Sequence, residues 1–296
     1  EVVSLTLTDE GVVFKCSHPK DFNDPYELFL TINFNESPEA LAFYEEVVGD
    51  LPQLPTTCFS VSPSITPMWA HYGKNHEGIA VQLDEKLVEK YFPKSGFGSV
   101  DYEDGPPDDL TELLYRAFVI QKPRYTYLLR QGVFSAAYYT KQKCWSYEQE
   151  RRMVCSQEET YENKNSILIK IPKECVVSII VGARSNEETI DYAKRYAASI
   201  NCKFFEMKIG KSSIEPYFLC ENGKTHIFNG VEICPSSFHC KKCKEPTESS
   251  ETCSWCSIND IHRESAASIN PYRMMAGLGM LENYIESMDE ISEKHR

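Results

Sequence analysis

The chain has 296 residues, of which 42% are hydrophobic and 25% are charged, and its formal net charge is -13. This composition is that of a globular protein, and the length predicts one large domain with a smaller appendage. The negative charge argues against a general nucleic-acid-binding or anionic-membrane-binding surface, because such surfaces need a basic excess. A local basic pocket remains compatible with it.

The 12 cysteines bear on the cellular compartment. No signal peptide is recognisable before them, and no apolar run approaches the ~20 residues of a membrane helix. We therefore expect a cytoplasmic protein without a membrane partner, whose cysteines are thiols or metal ligands. The first residue is Glu1 rather than Met, which is consistent with a processed tag or with further N-terminal residues.

Residues 1–233 predict an α+β domain with a mixed central sheet flanked by helices. In chain order, the patterns predict two short strands around a turn at 9–11, a rigid Asn-Asp-Pro turn at 23–25, a helix starting at Ser37, a strand at 56–62, a strand at 79–83, a helix at 84–92, a strand and an acidic Pro/Gly loop at 96–109, and a helical region at 110–139 that is interrupted near Pro123.

A segment rich in aromatic and imidazole side chains lies between the strands at 56–62 and 79–83. Trp69, His71, Tyr72 and His76 all fall within it. Such side chains suit stacking on a flat ligand ring and hydrogen bonding to its edge. The alternative is a core tryptophan beside a hydrogen-bonded histidine. The spacing of the two histidines is poor for a zinc pair.

The segment Trp145–Arg152 combines two aromatic rings, two carboxylates and two guanidinium groups. Read as a strand, it places Glu148, Glu150 and Arg152 on one face. Two carboxylates so close together repel, so one pKa rises unless cations screen them, which is a common preparation for acid–base chemistry. The alternative is a solvated acidic edge with arginine partners.

A βαβ-like unit follows the segment. Strands are predicted at 166–171, 176–182 and 203–209, and a helix before the last of them starts with Ser185 and Glu188 in capping-box spacing. No glycine-rich phosphate loop follows the strand that ends at Gly182, so this unit is interpreted as scaffold.

Two CxxC pairs nine residues apart indicate a structural zinc site with the ligands Cys240, Cys243, Cys253 and Cys256. Cys234 or His239 could replace one of them. We expect a zinc-binding module at 234–266. An amphipathic helix at 267–296 follows, whose apolar stripe predicts docking on the main domain, a second copy or a regulator.

Four motifs in order resemble the bacterial family named domain of unknown function 2971. They are Phe22–Glu27, Cys58–Ser60 with Met68–Gly78, Trp145–Arg152 and Ile179–Arg184. The resemblance spans roughly residues 5–210. It implies a role in phage defence or toxin-like systems but no settled activity.

The sequence is also similar to ADP-ribosyltransferases, whose split-sheet fold has an early Arg or His, a serine on a middle strand and a late Glu-x-Glu. The similarity implies NAD as cofactor and an unknown macromolecular acceptor. It implies catalytic roles for Ser60, for Glu148, which would orient the acceptor, and for Glu150, which would accept the ribose 2′-hydroxyl and stabilise an oxocarbenium-like transition state. The implied cofactor-binding residues are Trp69, His71, Tyr72, Tyr147 and Arg152. The first strand has Phe14-Lys15-Cys16 where the family has Arg or His.

Two other classes of function remain open at this point. One is a non-enzymatic protein that binds a ligand or partner through the aromatic cluster. The other is a nuclease in which Asp24, Glu27, Glu148 and Glu150 hold Mg²⁺.

Overall fold

The computed structural model describes residues 5–22, 24, 31–106, 108–248 and 251–294. The chain divides into two compact units, Glu1–Ser236 and Ser237–Arg296. Most of the expected Asn-Asp-Pro turn and Glu27 of the nuclease hypothesis lie outside the described residues.

The first unit contains six α-helices and 15 short strands within its described residues. The helices are α1 (Pro38–Val48), α2 (Thr66–His71), α3 (Glu85–Tyr91), α4 (Asp108–Ile120), α5 (Pro123–Tyr139) and α6 (Glu187–Ser199). The strands are β1 (Leu5–Thr8), β2 (Gly11–Cys16), β3 (Thr56–Ser60), β4 (Ile79–Leu83), β5 (Gly96–Ser99), β6 (Asp101–Glu103), β7 (Thr140–Gln142), β8 (Glu150–Val154), β9 (Tyr161–Asn163), β10 (Ser166–Pro172), β11 (Val176–Val181), β12 (Lys203–Lys208), β13 (Tyr217–Cys220), β14 (Thr225–Phe228) and β15 (Ile233–Pro235).

The strands of the described residues form several sheets rather than the one central sheet expected. Their orders are β1-β2-β10-β9, β15-β14-β13-β12-β11-β4, β3-β8-β5 and β6-β7. Only a single bridge, Ser17 to Thr56, connects β2 with β3 among the described residues. The two strands therefore belong to separate sheets, and the expected single central sheet is divided.

The βαβ-like unit is confirmed, because β11 and β12 pair in parallel on either side of α6. The expected cap residue is wrong by one position. Asn186, not Ser185, accepts a hydrogen bond from the backbone N–H of Thr189. The Ser185 hydroxyl instead donates to the carbonyl oxygen of Glu77 at 3.0 Å, so this serine ties the helix entrance to the segment before β4.

Two predicted helix boundaries follow from local chemistry. The Ser37 hydroxyl accepts from the Ala40 N–H and Pro38 opens α1, as predicted. The helical region at 110–139 is interrupted at the predicted place. Gln121 has a φ of 54°, and Pro123 starts α5. Helices α1, α4 and α5 pack around a core that contains Leu114, Leu129 and Val133.

The second unit contains α7 (Asp260–Ile269), α8 (Pro271–Gly277) and α9 (Leu281–Lys294). The expected single terminal helix is therefore divided. Pro271 starts α8 after an Asn270 cap, and Gly279 has a φ of 68° before α9. Of the helices within the described residues, none is both long and apolar enough to cross a membrane.

Candidate functional site

The Trp145–Arg152 segment is not one strand. Lys143–Glu148 forms a 3₁₀ helix, Gln149 is left-handed with a φ of 45°, and β8 starts at Glu150. The strand prediction is wrong for the first half because a left-handed residue cannot continue a strand. The reversal at Gln149 nevertheless brings both glutamates to the same cation, Lys141.

Glu150 and Arg152, which the sequence places on one face of a strand, form a bidentate ion pair. The Arg152 Nε donates to Glu150 Oε1 at 2.9 Å, and its Nη2 donates to Oε2 at 3.0 Å. Arg152 also donates from Nη1 to the carbonyl oxygen of Tyr138 at 2.8 Å, and its guanidinium lies 4.9 Å from the centre of the Phe22 ring. With 0% exposure, this guanidinium is a fixed part of the protein interior.

Lys141 connects the two carboxylates. Its Nζ donates to Glu148 Oε2 at 2.7 Å and lies 3.3 Å from Glu150 Oε2. The three side chains are almost completely buried. Glu148, Glu150, Lys141 and Arg152 therefore form a buried group of two negative and two positive charges, which we call the charge network.

The pKa of Glu150 reflects this surrounding. Burial alone would raise it, but the hydrogen bonds and charge of Arg152 and the charge of Lys141 lower it from 4.5 to about 2. Glu150 is therefore ionised throughout the physiological pH range. The expectation of a raised pKa for one member of the pair holds only without screening cations, and here Glu150 has two.

Ser60 and Tyr72 bind Glu148 from the other side. The Ser60 hydroxyl donates to the carbonyl oxygen of Glu148 at 2.7 Å, and the Tyr72 hydroxyl donates to its Oε1 at 2.7 Å. Ser60 also stands directly opposite Glu150 in the antiparallel pair of β3 and β8. Residues far apart in sequence thus meet at one point.

A cavity of ≈ 250 Å³ lies at this point, and we call it the glutamate cavity. Its polar lining includes Ser60, Tyr72, Lys141, Glu148, Glu150 and Arg152. Phe14 and Lys15 of β2, Phe59 of β3 and Val81 of β4 also line it. Because Lys141 lies on β7, the cavity borders all four sheets of the described residues.

A second cavity of ≈ 390 Å³ adjoins it and shares Phe59, Ser60, Met68 and Tyr72 with the glutamate cavity. We call it the tryptophan cavity because Trp69 lines it. The Trp69 indole is only 4% exposed and packs with Phe205, Met207 and Phe218. Its N–H donates to the carbonyl oxygen of Pro63 at 2.8 Å, so the indole has the contacts of a core tryptophan.

His71 and Tyr147 line neither of these two cavities. Their ring centres lie 6.3 Å apart, and the Trp145 ring lies 6.2 Å beyond Tyr147. The expected residues are thus divided: Ser60, Tyr72, Glu148, Glu150 and Arg152 line the glutamate cavity, Trp69 belongs mainly to the core, and His71 and Tyr147 form a separate row of rings.

Sequence reasoning missed Lys141 and Tyr102. The Tyr102 hydroxyl accepts from the Glu150 backbone N–H at 2.7 Å. The proximity of the two glutamates in sequence indicates that a cation is needed beside them. The sequence does not decide between Lys141 and Lys143, which are both close to the glutamates along the chain. Only the parallel pairing of β6 with β7 identifies Lys141, which lies opposite Tyr102 in that register.

The second unit contains a candidate metal centre. The sulfur atoms of Cys240, Cys243, Cys253 and Cys256 all lie within 4.8 Å of one another, and those of Cys243 and Cys253 are 3.9 Å apart. Four thiolates at ~2.3 Å from a zinc ion have this separation. The backbone N–H groups of Lys242 and Cys253 donate to the Cys240 sulfur at 3.4 and 3.3 Å, as befits a thiolate.

These four cysteines fit a structural zinc ion, without Cys234 or His239. In the described part of the chain no other group of three or more His, Cys, Asp or Glu side chains could hold a metal ion. Lys141 and Arg152 are hydrogen-bonded to the two glutamates of the nuclease hypothesis. That hypothesis stays a prediction, because its residue Glu27 lies outside the described part of the chain.

Comparison with known proteins gives one match. The model of the family described as protein of unknown function (DUF2971) matches residues 68–153, which is less than a third of the chain. This match supports the resemblance to that family and covers the segment from Met68 to the charge network. No curated protein and no solved structure matches the chain, so the similarity to ADP-ribosyltransferases has no support from relatives.

Proposed function

We propose that the first unit is an NAD-consuming transferase of the ADP-ribosyltransferase type. The observation that carries the proposal is the position of Ser60 directly opposite Glu150, with Glu148 hydrogen-bonded to Ser60 and all three on the wall of one cavity. The ADP-ribosyltransferase resemblance implies a serine strand and a late Glu-x-Glu, and here the serine strand β3 pairs with β8, which begins at the second glutamate.

The dimensions of the two cavities support a dinucleotide-sized ligand. Ligand pockets commonly have volumes of ~300–1,000 Å³, and the adjoining cavities of ≈ 250 and ≈ 390 Å³ together fall in this range. Phe14, Phe59 and Met68 give the glutamate cavity apolar surface for a flat ring. Its charged wall would then lie beside the ribose.

The proposed reaction breaks the bond between ribose C1′ and the nicotinamide nitrogen, and the nicotinamide leaves with the bonding electrons. The acceptor nucleophile forms the new bond to C1′ and releases its proton. Glu150, ionised at neutral pH, accepts a hydrogen bond from the 2′-hydroxyl and stabilises the positive charge that develops at the ribose. Glu148, held by Tyr72 and Lys141, orients the acceptor.

A second candidate function has its own supporting observation. Both oxygens of Glu150 already accept hydrogen bonds from Arg152, and two cations compensate much of its charge. A carboxylate that already accepts these hydrogen bonds can equally be a fixed wall residue of a site that binds a ligand without catalysis. A phage-defence role is part of the proposal only through the family resemblance.

The test uses labelled NAD, cell lysate and the full chain, and follows both free ADP-ribose and label on macromolecules. Tyr72→Phe removes one hydrogen bond to Glu148 and leaves every charge in place, so its fold should persist. We expect it to lower the transfer rate roughly 10-fold or more, as expected for loss of a hydrogen bond to a charged group. The exposed Glu162→Gln is the control.

Glu150→Gln should abolish transfer, at a cost of a few hundred-fold in rate, and melting curves must show that it remains folded. Saturable NAD binding without turnover would favour the binding function. Undiminished transfer by Glu150→Gln would remove this residue from the reaction.

A further inference from the structure

Three rings outside both cavities form a continuous row beside the charge network. The ring centres of His71 and Tyr147 are 6.3 Å apart with planes inclined at 37°, and those of Tyr147 and Trp145 are 6.2 Å apart with planes inclined at 38°. We call these three rings the aromatic row. His71 is exposed and the other two are half-buried.

The aromatic row is not part of a hydrophobic core. Its members do not occur in the buried clusters of the described residues, which instead contain Trp69 and the core phenylalanines. The inner end of the row is fixed, because the Lys141 ammonium lies 4.9 Å from the centre of the Trp145 ring. The same ammonium binds Glu148, so the row and the charge network are held together.

Its geometry suits a planar ligand. The ring-centre distances of 6.3 and 6.2 Å fall within the ~4.5–7 Å range of aromatic rings in mutual contact, so the three rings form one continuous aromatic surface. The ring of His71 is exposed and that of Tyr147 is half-exposed, so both offer a ring face on which a further flat ring can stack. Aromatic faces bind any nucleobase by stacking, whatever its hydrogen-bonding edge.

From these observations we infer that the aromatic row is a binding site for a nucleobase. As the acceptor site of the transferase it rests on the proposed function, whereas the binding itself rests on the rings alone. Glu148, next in sequence to Tyr147, lines the glutamate cavity. A base on the row would therefore lie beside the residue that orients the acceptor, and a nucleotide would be the acceptor class.

The base could come from a free nucleoside or from a single-stranded nucleic acid. Lys74 and Lys143 are the nearest exposed lysines in sequence to the row, and each faces a carboxylate, Glu77 at 3.9 Å and Asp104 at 3.8 Å. A polyanion would gain little from lysines so compensated. The site therefore favours a free nucleoside over a long phosphate backbone.

The experiment titrates the full chain with adenosine, guanosine, cytidine and uridine by calorimetry, and with ribose as a control for sugar binding. A single-stranded oligonucleotide of the preferred base distinguishes the two sources. We expect saturable binding of a nucleoside and none of ribose. Tyr147→Leu should weaken the nucleoside affinity 10- to 100-fold, which is the usual effect of losing one stacking ring.

Tyr161→Leu is the matched control, since Tyr161 is an exposed tyrosine on β9, and it should bind the nucleoside as the wild type does. His71→Ala, which leaves the charge network untouched, gives a second and milder test. Absence of saturable nucleoside binding, or equal affinity in the wild type, Tyr147→Leu and His71→Ala, would overturn the inference. Nucleoside binding together with no NAD cleavage would sink the transferase proposal and leave the aromatic row as a base site.

Discussion

The charge network and the four-cysteine centre are both polar sites, but they are assembled in opposite ways. The cysteines lie between positions 240 and 256, within a single turn-rich segment. The charge network and its partners come from β3, the residue that follows α2, β7, the 3₁₀ helix and β8, with Ser60 and Arg152 at the extremes in sequence. One site depends on local spacing and the other on tertiary structure.

The difference also concerns what stabilises each site. A centre of four thiols stabilises its fold by binding an ion, because the free energy of metal binding adds to the free energy of folding. The charge network contains its own counter-ions, so its four charges stabilise one another only while all are present. The first site should respond to chelators and the second to the loss of any one charge.

The largest expected effect is on the second unit. The purified chain should contain about one zinc ion, and Cys243→Ser should lose it, because three thiolates bind zinc far more weakly than four. The apparent free energy of such binding is ~10–16 kcal/mol, so the second unit should become sensitive to protease while the first stays resistant. Zinc content and limited proteolysis measure the two effects.

Cys144→Ser is the control, since Cys144 is an exposed cysteine outside the centre. A chelator should reproduce the effect of Cys243→Ser on the wild type. Full zinc content in Cys243→Ser would contradict the assignment of the ligands.

The next largest effect should come from Lys141→Met. This change keeps the length of the side chain. It removes the cation that binds Glu148, and it leaves Arg152 as the remaining cation beside Glu150 in the charge network. Breaking a buried ion pair costs about 3–5 kcal/mol, so we expect a loss of this size in the free energy of unfolding. Urea denaturation measures it. Lys143→Met, at an exposed lysine two residues further on, should change stability by less than about 1 kcal/mol.

A loss of equal size in both lysine variants would mean that the network does not depend on its shared cation. A loss in Lys141→Met that disappears at low pH would support the network, since protonated carboxylates no longer need Lys141.

How much could be predicted follows from the same comparison. The four-cysteine group could be predicted from the sequence because a CxxC pair by itself places two sulfurs near one point. The helix start at Ser37 and the interruption at Pro123 were readable because capping and the missing N–H of proline act locally. Pro271 and Gly279 are local signals for the division of the terminal helix. The sequence analysis nevertheless predicted one helix, because the apolar residues keep a helical spacing across both positions.

The charge network could be predicted only in part. The identities of Glu148, Glu150 and Arg152 were evident from the sequence, whereas their conformation was not, because the left-handed Gln149 leaves no signature in residue type. Lys141 required the pairing of β6 with β7, and the separation of the sheets required the pairing of β2 with β10 and of β3 with β8. Both are long-range features that no local pattern encodes.

The smallest of the expected effects is the pH dependence that Glu150 gives to stability. Its pKa is lowered from 4.5 to about 2 in the folded protein, so the folded state favours the charged form. The stabilisation is complete above pH ~4.5, where the unfolded chain is also ionised, and is lost as the pH falls toward about 2. The difference corresponds to about 3 kcal/mol.

Unfolding by urea at several pH values should show this loss in the wild type. Glu150→Gln should lack that share of the slope. Other carboxylates contribute too, because Lys208 and Lys194 also lower the pKa of Glu206, so the readout is the difference between the two proteins. If the free energy of unfolding depended on pH in the same way in the wild type and in Glu150→Gln, then Arg152 and Lys141 would not stabilise the ionised form of Glu150.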